Sequence, residues 1–347
     1  MKIILCSDFH LAFSQQFDRI NINGLSCRLQ EILDSIKWAA DLGKQKKAAY
    51  FFGLGDIFDK AEKLPTKEGL AIQDIFKYIA TLYKNKCGLL TGNHDKISDA
   101  VSILDLFSQN IQIFNQFTVI DTDDARLFFV PYLREPEDFY SVMTNIQNNF
   151  DTPGKKYLFG HFWDLSVMGV DAEAIDVTKF NVSFFDRIFC GHYHAPTQDL
   201  TNRIIYVGTL LNKKFNETGP KGCWILDLEK NKLEFHKNPH SPEFYSIEDS
   251  TLLHDNSIVQ TNAYYRAYCD ADTVTEVSRI LSACKGYEIL SKKDSLSQTQ
   301  NISIDSVDKK NNQTLKEYVL ANCDIFVPDG ITKDEFKVRG SELLSDL

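Results

Sequence analysis

The sequence predicts a layered α/β fold, and two observations carry that expectation. Apolar runs rich in Ile, Val, Phe and Tyr recur from the N-terminus to about Glu229, and amphipathic segments at helical spacing separate the first of them. Runs that are apolar throughout suit strands buried on both faces, and their alternation with helices marks an α/β core.

Taken in order, strands are expected at Lys2–Asp8, Ala48–Asp56, Cys87–Asp95, Leu127–Leu133, Tyr157–His161, Arg187–His194, Ile204–Leu210 and Cys223–Leu228. Between the first two, Leu29, Ile32, Leu33, Ile36 and Ala40 fall on one helical face, with Gly43 placed as a C-cap. Between the second and third, Ile72, Ile75, Phe76, Ile79, Leu82 and Tyr83 repeat that spacing. After Pro239-His240-Ser241-Pro242 the character changes: Tyr264–Asp270 and Tyr287–Ser291 read as strands around a helix at Thr273–Cys284. The stretch Ser295–Gln313 is polar and reads as a flexible linker. Beyond it, Leu315, Tyr318, Val319 and Cys323 share a helical face. A turn at Pro328-Asp329-Gly330 and a capping box at Thr332 and Glu335 then open a second helix. The expected division is a core domain over residues 1–240, a small βαβ domain over 241–292, a linker over 293–313 and a helical hairpin over 314–347. Such a hairpin cannot bury two apolar faces alone, so it either docks on its own chain or binds a partner.

The 347 residues suffice for one large domain and something smaller, and 43% hydrophobic with 25% charged residues is the balance of a soluble globular protein. No apolar run approaches the roughly 20 residues of a membrane-spanning helix. Met1-Lys2-Ile3-Ile4-Leu5-Cys6 reads as a first strand rather than a signal peptide, so a cytoplasmic protein without membrane partners is expected. Eight scattered cysteines without a CxxC pair fit buried free thiols in a reducing compartment. The net charge of −10 argues against coating nucleic acid with a basic surface, although not against contact through bound cations and a local basic patch.

Five polar motifs close five of the apolar runs: Asp8-Phe9-His10, Gly55-Asp56-Ile57-Phe58-Asp59, Gly92-Asn93-His94-Asp95, Gly160-His161 and Gly191-His192-Tyr193-His194. Strand C-termini in an α/β sheet converge on one edge, where such folds keep their sites. Side-chain alternation along a strand points i and i+2 the same way, so Asp8 with His10, and His192 with His194, are each expected to face one site. Mixed imidazole and carboxylate donors suit Mn²⁺, Fe²⁺ or Zn²⁺ better than Ca²⁺ or Mg²⁺.

Together these motifs resemble the signature of the calcineurin-like metallophosphoesterases, whose core is a β-sandwich flanked by helices. Ser7-Asp8-Phe9-His10-Leu11, Gly55-Asp56-Ile57-Phe58-Asp59, Pro131-Tyr132-Leu133-Arg134-Glu135, and Tyr206-Val207-Gly208-Thr209 with Phe215-Asn216-Glu217 and Lys221-Gly222, are similar to the SbcD branch of nuclease subunits. Ala12 and Thr209-Leu210 depart from that branch at positions that hold no ligand. The resemblance implies two divalent cations, Mn²⁺ first among them, with Mg²⁺, Fe²⁺ or Zn²⁺ as other occupants. One would be held by Asp8, His10, Asp56 and His194, the other by Asp56, Asn93, His161 and His192. The pair would acidify a shared water and hold the phosphate. His94 would stabilise the transition state and assist the leaving oxygen, its ring oriented by Asp95, while Asp59 either bonds near the site or starts a helix.

The resemblance further implies a DNA substrate contacted by the βαβ unit as a capping domain, a homodimer, and an SbcC-like coiled-coil ABC ATPase docked on the hairpin; Leu106, Phe107 and Ile111 either contribute to the dimer or belong to a core helix. No G-x-x-x-x-G-K-[ST] loop occurs, so ATP dependence would come from that second chain. If the gene is a phage's, the compartment is the host cytoplasm. Protein phosphatases of the superfamily carry G-D-x-x-D-R and G-N-H-E, where Lys60 and Asp95 stand here. A stand-alone small-molecule phosphodiesterase and a non-catalytic scaffold are the other readings.

Overall fold

The computed structural model describes residues 1–12, 17–60, 64–98, 100–165, 173–199, 203–215, 217 and 219–292; the expected linker and helical hairpin lie outside the described residues. Residues Met1–Leu290 form one compact unit.

Two six-stranded sheets make its centre. The first runs β12 (Lys232–Lys237), β11 (Gly222–Asp227), β1 (Lys2–Cys6), β2 (Ala48–Leu54), β3 (Cys87–Leu90), β4 (Gln112–Phe114). The second runs β5 (Thr118–Asp121), β6 (Ala125–Val130), β7 (Lys155–His161), β8 (Arg187–Gly191), β10 (Ile204–Tyr206), β9 (Thr197–Asp199). β1 to β4 are parallel neighbours, as are β6, β7, β8 and β10, so both sheets send parallel strand ends in common directions.

The inner faces pack on one another. Ile3, Leu5, Phe52, Leu54, Leu90 and Phe114 of the first sheet share a core with Leu127, Phe129, Tyr157, Phe159 and Phe189 of the second. An aromatic ladder spans that layer, with ring centroids 4.1 Å apart for Phe114–Phe129, 5.0 Å for Phe129–Phe159 and 5.4 Å for Phe159–Phe189. Each buried Phe contributes about 1.5–3 kcal/mol relative to exposure, so the ladder holds the sheets in a fixed relation at the edge where the motifs emerge.

Helices cover the outer faces. α1 (Cys27–Gln45) and α2 (Thr66–Tyr83) pack on the first sheet, and α3 (Pro136–Asn149) on the second through Phe139, Met143 and Ile146. The layered β-sandwich flanked by helices is thus observed. Gly43 is not a cap: α1 continues to Gln45, and a Cβ at Gly43 would meet the Tyr83 hydroxyl at 2.3 Å and Ile4 Cγ2 at 2.9 Å. It is a close-packing glycine where α1 crosses α2 and β1.

The small unit is larger than a βαβ. Its three strands, in the order β13 (Glu243–Glu248), β14 (Ala263–Cys269), β15 (Gly286–Ser291), carry α4 (Asp249–His254) and α5 (Val274–Leu281). It joins the core through Arg28 of α1, whose guanidinium lies 4.6 Å from the Tyr264 ring centroid and 5.4 Å from that of Phe244. Glu31 receives Arg28, Lys285 and the Tyr264 hydroxyl.

Phe107 and Ile111 are core residues at 3% exposure, whereas Leu106 is 67% exposed. The seven described cysteines are free thiols, six of them buried. No helix among the described residues is long and apolar enough to cross a membrane.

Candidate metal centre

All five motifs meet at one edge of the sandwich, three from the first sheet (after β1, β2 and β3) and two from the second (ending β7 and β8). Strand alternation does not aim them. β1 ends at Cys6 and β8 at Gly191, and Asp8 (φ 53°), His10 (φ 44°), Asp56 (φ 48°) and His192 (φ 81°) all sit in the left-handed region that non-glycine residues avoid. Each costs of order 1–3 kcal/mol, so surrounding contacts must hold it. They do: the Asp8 and His10 N–H groups donate to the carbonyls of Gly55 and Asp56 at 3.0 and 2.9 Å. The Lys213 ammonium donates to the Asp8 carbonyl at 2.9 Å.

Because of these turns, His192 and His194 separate instead of facing one site. His10 Nε2 lies 3.0 Å from His194 Nε2, and both approach Asp8 Oδ1, at 4.0 and 3.9 Å. His192 Nδ1 lies 3.2 Å from His161 Nε2, and the Asn93 amide oxygen sits 3.0 and 3.1 Å from these two nitrogens. Asp56 stands between the groups, with Oδ2 3.7 Å from His10 Nε2 and Oδ1 3.3 Å from His161 Nε2. Asp8, His10 and His194 form one set of potential ligands and Asp56, His161 and His192 another; His94 also offers a ring nitrogen within 4.8 Å of ligand atoms of His10 and Asp56.

The electrostatics suit cations. Burial, with the nearby Lys213 charge, pushes His10 down to about 4, and burial with His161 pushes His192 down to about 3. Both rings therefore present lone pairs near neutral pH. Burial acts the same way on His161, but the Asp56 carboxylate overrides it and raises the ring to about 9. Burial likewise opposes charge on Asp56, yet the His161 ring holds that carboxyl well below the usual range. Nitrogen lone pairs and carboxylate oxygens converging from both sides of one aspartate fit two divalent ions of intermediate softness.

Other groups orient these donors. His161 Nδ1–H donates to the Leu54 carbonyl at 2.8 Å, leaving Nε2 toward Asp56, and Trp163 stacks on His192 with centroids 3.8 Å apart. Glu217 Oε1 lies 3.5 Å from His194 Nδ1, and the Lys221 ammonium donates to the His194 carbonyl at 3.0 Å. Sequence reasoning assigns no role to Lys213, Glu217, Lys221 or Trp163. Glu217 and Lys221 lie in the F-x-E and K-G segments of the family resemblance, and a Trp two residues past Gly160-His161 is the only local cue to Trp163.

Asp95 differs from its expected role. Its carboxylate, fully buried, accepts from the N–H groups of Phe58 (2.8 Å), Gly92 (2.9 Å) and Ile57 (3.2 Å), so it ties the second and third motif loops together. Burial, with the Asp56 charge, raises it to about 7 against those three donors. The His94 ring is instead oriented by the Asp59 carbonyl, which accepts from Nδ1 at 2.7 Å on an exposed side chain. The Asp59 carboxylate reaches to 3.4 Å from His10 Nδ1.

Comparison with known proteins gives consistent matches. The sequence profile of the family described as calcineurin-like phosphoesterase matches residues 1–196. The chain is 23% identical over 253 residues to exonuclease subunit 1 of Enterobacteria phage T4, covering 69% of this chain and 68% of that one. It is 40% identical over 62 residues to the SbcD component of the nuclease SbcCD of Staphylococcus saprophyticus, covering 18% of this chain and 16% of that one. Among solved structures, a dimetal phosphatase from Danio rerio aligns with a TM-score of 0.43 at 11% identity, over 68% of this chain and 95% of that one.

Proposed function

The chain belongs to the calcineurin-like phosphoesterases, and on that premise we propose that it is a two-metal DNA nuclease subunit hydrolysing phosphodiester bonds. The observation that carries the two-metal reading is Asp56, whose two oxygens each face a separate group of donors. In this reading Asp8, His10, Asp56 and His194 hold one cation and Asp56, Asn93, His161 and His192 the other, with Mn²⁺ the expected occupant. Bound there, the ions would supply Lewis acidity toward a phosphate and acidify a water.

The protein's own groups would do the rest. His161 and Asn93 hold their donor atoms on the side of Asp56 away from His10, and Trp163 keeps the His192 ring from rotating. Glu217 polarises His194. His94 presents Nε2 from an exposed position and passes a proton to the departing oxygen. Asp95 acts by keeping the two loops in register.

The nuclease assignment draws on relatives named as components of an exonuclease and of a nuclease. The same names, each a subunit, support action with a second chain, for which an SbcC-like ABC ATPase docking on residues 314–347 is the candidate, in DNA end processing, recombination or repair in the cytoplasm. A homodimer belongs to the same proposal. A small-molecule phosphodiesterase is the competing enzyme. Degradation of linear plasmid by the Mn²⁺-loaded chain, set beside hydrolysis of a small diester, separates them: robust small-diester turnover with intact plasmid sinks the nuclease reading. Removal of residues 295–347 should abolish co-purification with the ATPase while sparing Mn²⁺-dependent cleavage.

A further inference from the structure

Beside Asn93 a cavity of about 480 Å³ opens that none of the five motifs accounts for, walled by Lys96, Ile97, Tyr132, Arg134 and Glu173. Two chain segments build most of it, one following the third motif and one following β6. They are joined to each other: the Tyr132 N–H donates to the Thr91 carbonyl at 2.9 Å, and the Lys96 ammonium lies 5.7 Å from the Tyr132 ring centroid. Tyr132 is 6% exposed, and its hydroxyl donates to the Glu173 carboxylate at 2.5 Å, so the floor is constructed rather than incidental.

The chemistry of the walls is specific. Arg134 is exposed, and among the described residues no carboxylate forms an ion pair with it. Among the described residues that line it, Lys96 and Arg134 are cationic and Glu173 is a carboxylate. Ile97, 60% exposed, adds an apolar shelf. The volume lies in the range of ligand pockets, roughly 300–1,000 Å³, and exceeds what one phosphate needs. A guanidinium for phosphate beside an apolar surface for sugar and base is the recognition set for a nucleotide, and it shares Asn93 with the candidate metal centre.

We propose that this cavity seats the nucleotide adjoining the scissile bond, with Arg134 clamping its phosphate. The proposal rests on the nuclease reading and sharpens it: the substrate is a strand with phosphates on both sides of the cut, not an isolated diester. Lys96 lines the same cavity, and Glu173 holds the Tyr132 hydroxyl there.

Arg134→Ala in the full Mn²⁺-loaded chain tests this, with a short oligonucleotide and bis(p-nitrophenyl) phosphate, which has no neighbouring phosphate, as paired substrates. The ratio of kcat/KM for the oligonucleotide to that for the small diester should fall by about tenfold, chiefly through KM, and Arg134→Lys should recover part of it. The slope of log(kcat/KM) for the oligonucleotide against log[salt] should shrink in magnitude by about 0.7, as for one lost phosphate contact on a single strand. Equal losses on both substrates, or an unaltered salt slope, overturn the assignment of Arg134. A wild-type protein that hydrolyses the small diester but no oligonucleotide overturns the nuclease reading itself, and the cavity assignment with it.

Discussion

His10 Nε2 and His194 Nε2 lie 3.0 Å apart although 184 positions separate them in the chain. Two imidazole nitrogens at that distance share either a proton or a cation. With His10 pushed down to about 4 by burial and Lys213, and Asp8 Oδ1 within 4.0 Å of both rings, a cation is the better occupant. His10→Asn should therefore lower bound Mn²⁺ from two ions per chain to one, read by elemental analysis after desalting. Retention of both ions would remove His10 from the ligand set.

Proton release on metal binding discriminates among the histidines. His10 and His192, at about 4 and about 3, have already lost their protons at neutral pH, whereas His161, raised to about 9, has not. Metal binding near neutral pH should then expel the His161 proton, and affinity should rise with pH, levelling off above about 9. Calorimetry in two buffers of different ionisation enthalpy counts the proton directly; a flat affinity would mean His161 is neutral before metal arrives.

His94→Ala should keep both ions and lose about 10²–10⁴-fold in turnover, because its exposed ring, held by the Asp59 carbonyl, stands beside the site without belonging to either proposed ligand set. Parallel loss of metal and rate would instead make His94 a ligand, a role open to it within 4.8 Å of His10 and Asp56.

Gly92→Ala tests how tightly the loops pack. A Cβ there would meet the Asp56 nitrogen and Oδ1, both at 2.2 Å. Displacing Asp56 should release both ions, with a stability cost of about 1–3 kcal/mol in chemical denaturation. A variant that retains two ions would show that the third motif loop can move away from the second.

The hydrophobic pattern is legible where strands are buried on both faces, and less so elsewhere. Edge strands such as Lys232–Lys237 and Thr118–Asp121 are half polar or more, and their composition does not set them apart from loops. Helix α3 has a readable stripe in Phe139, Met143 and Ile146, spaced by four and three behind Pro136, yet it is absent from the expected elements. Glu243–Glu248 is absent from the expected elements too, although Phe244, Tyr245 and Ile247 suit a strand; it pairs in parallel with β14.

By itself the sequence marked the donor-bearing side chains that the structure brings together and showed that they follow strand ends, since donor type is a local chemical property and an apolar run is a local pattern. Spacing alone did not say how those donors divide; the family resemblance implied a division, and tertiary structure brings it about. Left-handed turns at Asp8, His10, Asp56 and His192, the first two held by backbone carbonyls beyond β2, send His192 to Asn93 and His194 to His10. The same packing gave Asp95 to three backbone N–H groups and left the His94 ring to a carbonyl. Contacts of that kind depend on which distant backbone atoms come within hydrogen-bond reach, and no local spacing encodes that.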